Sequence, residues 1–161
     1  MRTKIITEML EGIEKAIACL DQNTDDRPVA GSSWSLHQHL EHLCLTGRST
    51  PLLIQSALET SSGPDSSPIS STLFNLGRIP RGETQAPEFG LPKGMSIRKM
   101  RNGLLRLHTT LGDLCRDHLS VIEHPGRSLH PALGGLTPAE WISFVGIHFK
   151  HHLAIIQGNG D

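Results

Sequence analysis

The segment WISFVGIHFKHHLAIIQ places His148 and His152 four residues apart near its end. In a helix that spacing sends both imidazoles off one face, roughly 6 Å apart and within reach of a single ion. At 100° per residue, Trp141, Phe144, Val145, Ile155 and Ile156 define an apolar stripe, and both histidines lie inside it. Ser143, Lys150 and Ala154 lie opposite, and His151 falls on the boundary. A single histidine in an apolar stripe is usually a core residue satisfied by one hydrogen bond. Two in register each need a partner in a dry interior, and a shared divalent cation meets both needs. Phe149, Lys150 and His151 fill the interval between them, so the HExxH pattern of a zinc protease is absent.

A second cluster lies in WSLHQHLEHLCLTGRS, residues 34–49. On a helical wheel His37, Glu41 and Arg48 form a charged side, and Leu36, Leu40 and Leu43 flank one edge of the other side. Between that edge and Trp34 runs an uncharged polar strip of Gln38, His39, His42, Thr46 and Ser49. Such a strip suits an internal polar site or a solvated surface, and spacing leaves His39 and His42 equally open as ligands. Cys44 points about 200° away from His42 and is not counted with them. His118 continues an apolar ladder four residues after Leu114, with His108 beside it; both read as helix-end or surface histidines, with a supporting role at the site as the alternative. His124 and His130 fall in loops, where solvation is expected, and the segment HPALGG beginning at His130 can pack against the start of the last helix.

The elements that must hold these residues are helical. Ile6, Met9, Leu10, Ile13, Ile17 and Leu20 recur at helical spacing and predict a first helix over residues 3–21. A second is expected from Trp34 to about Thr60, with Ser32 or Ser33 as N-cap and Pro51 kinking or splitting it. Residues 61–95 are rich in Pro, Ser and Gly, a long connection of the kind that forms a lid or binding loop, with STLFNLG as one short internal helix. Ile97, Met100, Leu104, Leu107, Leu111 and Leu114 predict a third helix over about 96–120. Thr137, Pro138 and Glu140 form a capping box with proline at the first helical position, opening a fourth helix that Gly158 stops after Gln157. Four amphipathic helices without a strand signal describe one all-α domain spanning 1–161, a helical bundle.

Composition narrows the function classes. The net charge of the 161 residues is −1, which gives no basic footprint for nucleic acid or an anionic membrane. No apolar run approaches the roughly 20 residues of a bilayer span, and MRTKIITEML has no continuous apolar core of a signal peptide. Cys19, Cys44 and Cys115 are odd in number and widely spaced, as expected of reduced thiols in a cytoplasmic protein. Ten residues are histidine and none is tyrosine, so the positions of the histidines carry the functional signal.

Three segments resemble the DinB/YfiT-like family. WSLHQHLEHL (34–43) is similar to the family's Trp-to-His-Leu stretch on the second helix, and HPALGGLTPAEWISFVGIHFKHHLAIIQ (130–157) to its last helix with a late His-x-x-x-His pair. NLGRIPRG (75–82) resembles a loop in an uncharacterised subgroup. The resemblance runs through most of the chain in helix order. It implies a four-helix bundle of up-down-down-up topology with a long loop between helices 2 and 3. It also implies a divalent metal, nickel or zinc, held by His42, His148 and His152; the family pattern thus selects His42 over His39. Relatives in the family include thiol-S-transferases and a thiol-dependent isomerase.

Three neutral imidazoles leave an open position on the ion, the layout of a catalytic rather than a closed structural site. The expected function is a metal-dependent enzyme, a thiol-S-transferase or hydrolase. Its substrate is expected to be a small molecule held against the 61–95 loop, with a low-molecular-weight thiol as candidate partner. Arg78 and Arg81 are candidate anchors for an anionic group, and His39 or His118 candidate proton carriers, because no carboxylate stands out as general base. Two alternatives are a non-catalytic metal-binding or dimerising bundle and a metal-free core network of His39, His42, His148 and His152. Homodimerisation fits the family, though the sequence presents no decisive apolar patch.

Overall fold

In the computed structural model, which describes residues 2–80 and 85–159, the amphipathic stretches form helices and the buried faces meet in one hydrophobic core. Helix α1 (Arg2–Gln22) buries Met9, Ile13, Ala16 and Leu20 and lies along α7 and α5. Gly12 permits the close approach to α7: a Cβ there would stand 3.1 Å from the Cβ of Phe149.

Helix α2 (Leu36–Gly47) begins later than expected, with Ser35 as its cap instead of Ser32 or Ser33. Ser35 Oγ accepts from the Gln38 N–H at 3.3 Å while the Gln38 side chain accepts from the Ser35 N–H at 2.9 Å. Asp26 adds a carboxylate at the same helix end, accepting from the Ser35 hydroxyl at 2.7 Å and the His37 N–H at 2.9 Å. The reciprocal cap and the negative charge at the positive end of the helix dipole decide the start. Trp34 therefore precedes the helix, and Ser32 is left for another role.

Pro51 splits the expected long helix. Its missing N–H is harmless in the first turn of α3 (Thr50–Leu58), whereas within a continuous helix it would break a hydrogen bond. The 61–95 connection contains α4 (Pro68–Leu76), which starts three residues before the expected STLFNLG helix, capped by Ser67 and ended by Gly77 at φ 61°. A 3-10 turn follows at Glu88–Gly90.

Helix α5 (Ile97–Leu114) buries Met100, Leu104, Leu107 and Leu111. It stops at Cys115, short of the expected 120, and α6 (His118–Ile122) begins after a short turn. Cys115 and Val121 are both buried. Six residues along one straight helix would put them about 120° from facing the same way, so the break lets both reach the core.

The sequence predicted no strand, and here it misled. Strands β1 (Ser128–His130) and β2 (Gly134–Leu136) form an antiparallel pair with Ser128 opposite Leu136. Three residues are too few for alternation to declare itself. Gly134 and Gly135 lie so close to Asp65 and Pro64 that no side chain fits, and the Gly135 N–H donates to the Asp65 carbonyl at 2.9 Å. The hairpin thus ties the long connection to the start of α7. Helix α7 (Pro138–Ile156) opens with the expected Thr137–Glu140 capping box. Among the described residues the chain is mostly helical with this one small sheet, and no helix is long and apolar enough to cross a membrane.

Candidate metal centre

Helices α2 and α7 cross so that His42 faces His148 and His152. The Nε2 atoms of His42 and His148 are 3.0 Å apart, and those of His148 and His152 are 3.2 Å apart. One ring nitrogen from each of the three lies within 4.8 Å of the others, and all three residues are buried. Bonds of 2.0–2.1 Å to one ion place tetrahedral ligands about 3.3 Å apart and adjacent octahedral ligands about 2.9 Å apart, so these two pairs, though not the full 4.8 Å span of the trio, match ligands of one cation. The resemblance's choice of His42 and the sequence's pairing of His148 with His152 describe one cluster.

The rings are held from outside. Trp34 packs on His42 at 5.0 Å and stacks on His152 at 6.2 Å; Phe144 stacks on His148 at 5.3 Å. The Nδ1–H of His42 donates to the Gly90 carbonyl at 2.8 Å, and because a carbonyl can only accept, Nε2 is left with its lone pair toward the centre. His39 does not join the cluster. Its Nδ1 meets Nδ1 of His152 at 2.9 Å, and its Nε2 meets the Ser32 hydroxyl at 2.9 Å. When His152 donates from Nδ1 to His39, and His39 donates from Nε2 to Ser32, His152 also presents a bare Nε2 to its neighbours.

Burial pushes His42, His148 and His152 below the ordinary histidine range, with neighbouring imidazoles adding to the effect at His148 and His152; the Gly90 bond partly offsets it at His42. All three are therefore neutral at pH 7, the state a metal requires. With the tautomers just described, the three converging nitrogens have at most one proton among them, on His148. A cation in its place satisfies all three lone pairs.

Two other expectations fare differently. Glu41 was assigned to a charged, outward side, but it is buried. Its carboxylate accepts from the backbone N–H groups of Lys93 at 2.6 Å and Gly94 at 3.0 Å, because the long connection folds back over α2 and brings donors that need an acceptor. His130, expected in solvent, is half-buried against Trp141 at 5.2 Å and Phe144 at 4.7 Å, and burial pulls it down to about 4. The expected packing of HPALGG on the start of α7 is this contact.

Cys44 is buried and donates toward the Met100 carbonyl at 3.4 Å; burial pushes its thiol up to about 12, so it is neither ligand nor nucleophile. His108 pairs with Glu14 at 2.9 Å on the far side of the core. His118 opens α6 and does not border the histidine cavity, which removes it as a proton carrier there. His124 accepts the Gly126 N–H at 3.2 Å. Arg78 is exposed and does not border the cavity, and Arg81 lies outside the described residues.

The centre opens into a cavity of about 1200 Å³ walled by Trp34, Leu53, Leu73, Phe89, Leu133 and Phe144. Sequence reasoning missed Ser32, Gly90 and Arg48 as parts of this site. Ser32 and Gly90 act through loop geometry that has no periodic signal, and Arg48 was read only as part of a charged face. No family model, no curated protein and no solved structure matches this chain.

Proposed function

We propose that this chain is a metal-dependent enzyme of the DinB/YfiT-like kind, a thiol-S-transferase or hydrolase working on a small molecule in the cavity above His42, His148 and His152. The observation that carries the reading is the pair of Nε2 separations, 3.0 and 3.2 Å, at the base of a cavity of about 1200 Å³. A closed structural ion would have a fourth protein ligand and no such space. The packing of α1 on α7 and α5, and of α2 on α7 and α5, supports a four-helix bundle, whose up-down-down-up order is what the family resemblance implies. Nickel and zinc both accept imidazole donors, which fits a three-histidine set.

A divalent ion so held supplies Lewis acidity to a group of the substrate or to a thiol. The chain's own residues do the rest. Trp34 and Phe144 hold the imidazoles in place and keep water from their flanks. Gly90 fixes the His42 tautomer, and His39, bonded to His152 and Ser32, fixes that of His152. Among the described residues lining the cavity there is no carboxylate, so imidazoles are the proton-handling groups.

Elemental analysis of untagged protein tests the proposal. One nickel or zinc per chain is expected at pH 8, with loss on dialysis at pH 5 as protons compete for the ligands, and no stoichiometric metal in His152→Ala. Metal-dependent turnover with thiol cosubstrates or hydrolysable esters is the second expectation. A protein without stoichiometric metal, in which His152→Ala only loses stability, would replace the metal site by a hydrogen-bonded core network.

A further inference from the structure

The three histidines occupy only the base of their cavity, and the rest of it constrains what binds there. Its volume, about 1200 Å³, slightly exceeds the usual range for small-molecule sites and far exceeds the needs of water or an inorganic anion. Trp34, Phe89 and Phe144 line it together with Leu53, Leu73 and Leu133. Such a wall gives a heavily hydroxylated molecule few hydrogen bonds in exchange for lost water. Among the described residues lining the cavity, Arg48 is the only Lys or Arg, and no Asp or Glu offsets it. No carboxylate among the described residues pairs with its guanidinium.

Arg48 stands exposed at the end of α2, six residues after His42. That is about 9 Å along the helix axis, a distance a chain or ring of several carbons spans. We infer that the ligand of this cavity is an amphipathic monoanion: an apolar chain or aromatic body lying against the apolar wall, with its carboxylate on Arg48 and its other end at the histidines. The inference rests on the reading of this cavity as the substrate site. It adds the chemical class of the substrate and assigns the anion anchor to Arg48 instead of Arg78. Ser49 also borders the cavity and supplies a hydroxyl beside the guanidinium.

Calorimetric titration of the full chain with decanoate and with 1-decanol tests the assignment, in zinc-loaded and in chelator-treated protein. Decanoate should bind one-to-one and about tenfold more tightly than the neutral alcohol, the discrimination expected of a charge-assisted arginine contact. Arg48→Gln should erase that preference, Arg48→Lys should keep part of it, and Arg78→Gln should keep all of it. Ala132→Trp, on the cavity rim, should weaken both probes together. Equal affinity for the two probes, or a preference that survives Arg48→Gln, overturns the assignment. A preference that survives Arg48→Gln but vanishes on chelation would put the carboxylate on the metal instead. Zinc titration without any organic probe reads the metal centre separately, so loss of zinc binding with intact decanoate binding sinks the metal reading alone.

Discussion

His108 and His148 both sit on long helices, yet they face opposite kinds of partner. On the outer side, where α1 meets α5, His108 lies 2.9 Å from a Glu14 oxygen, half in solvent. On the inner side, where α2 meets α7, His148 faces two other imidazole nitrogens in a buried site. A histidine against a carboxylate has a hydrogen-bond acceptor and solvent beside it. A histidine against two further lone pairs in a dry interior gains only while it stays neutral, or when a cation other than a proton arrives. The same residue type thus reads as an ordinary surface pair in one region and as a candidate metal ligand in the other.

Acid separates the two regions most strongly. Burial depresses His42, His148 and His152 below their unfolded value near 6.5, so the unfolded chain binds more protons than the folded one as pH falls below that value. The metal-free protein should therefore be stable above about pH 6.5 and lose stability downward, each such histidine adding up to about 1.4 kcal/mol per pH unit. Denaturant midpoints between pH 7.5 and 5 measure this slope. His148→Phe should flatten it by about one proton. A slope unchanged in His148→Phe would erase the distinction between the regions.

His39 offers a finer cut, because it belongs to the inner region yet is bonded to a hydroxyl. Its contacts with His152 and Ser32, both 2.9 Å, set which nitrogen of His152 keeps its lone pair. His39→Ala should lower zinc affinity roughly 10- to 100-fold while the three ligands remain, the usual effect of losing an orienting partner. Ser32→Ala should weaken binding in the same direction by less. Zinc affinity unchanged in His39→Ala would mean that Trp34 alone orients the His152 ring.

The sequence exposed these features unevenly, for physical reasons. His148 and His152 were legible because a helix converts spacing into direction, and Thr137–Glu140 announced where that helix starts. The choice between His39 and His42 depended on which loop would lie over α2, and no local pattern encodes that. Glu41 was misread for the same cause: a wheel assigns a carboxylate to the outside unless a distant segment brings donors to it. The β1–β2 hairpin escaped because its strands are three residues each and its glycines serve close approach rather than a recognisable turn. The end of α5 escaped because an apolar ladder can continue past a break in the helix.

Glu41 sharpens the comparison from a third direction, as a buried carboxylate in the inner region held by backbone N–H groups. Its two oxygens accept from the N–H groups of Lys93 and Gly94, at 2.6 and 3.0 Å. The same connection carries Gly90, whose carbonyl lies 2.8 Å from Nδ1 of His42. Glu41→Gln keeps one acceptor but turns the other oxygen into a donor facing a donor, an arrangement that costs about 1–2 kcal/mol. The denaturant midpoint should fall accordingly, and zinc affinity should fall only a few-fold, since the His42 ring loses steadiness but not its lone pair. A stability loss with no change in zinc affinity would show that Gly90 keeps its place without the clamp. A loss of zinc affinity as large as that of His39→Ala would show that the strap over α2 orients the centre as strongly as the imidazole beside it.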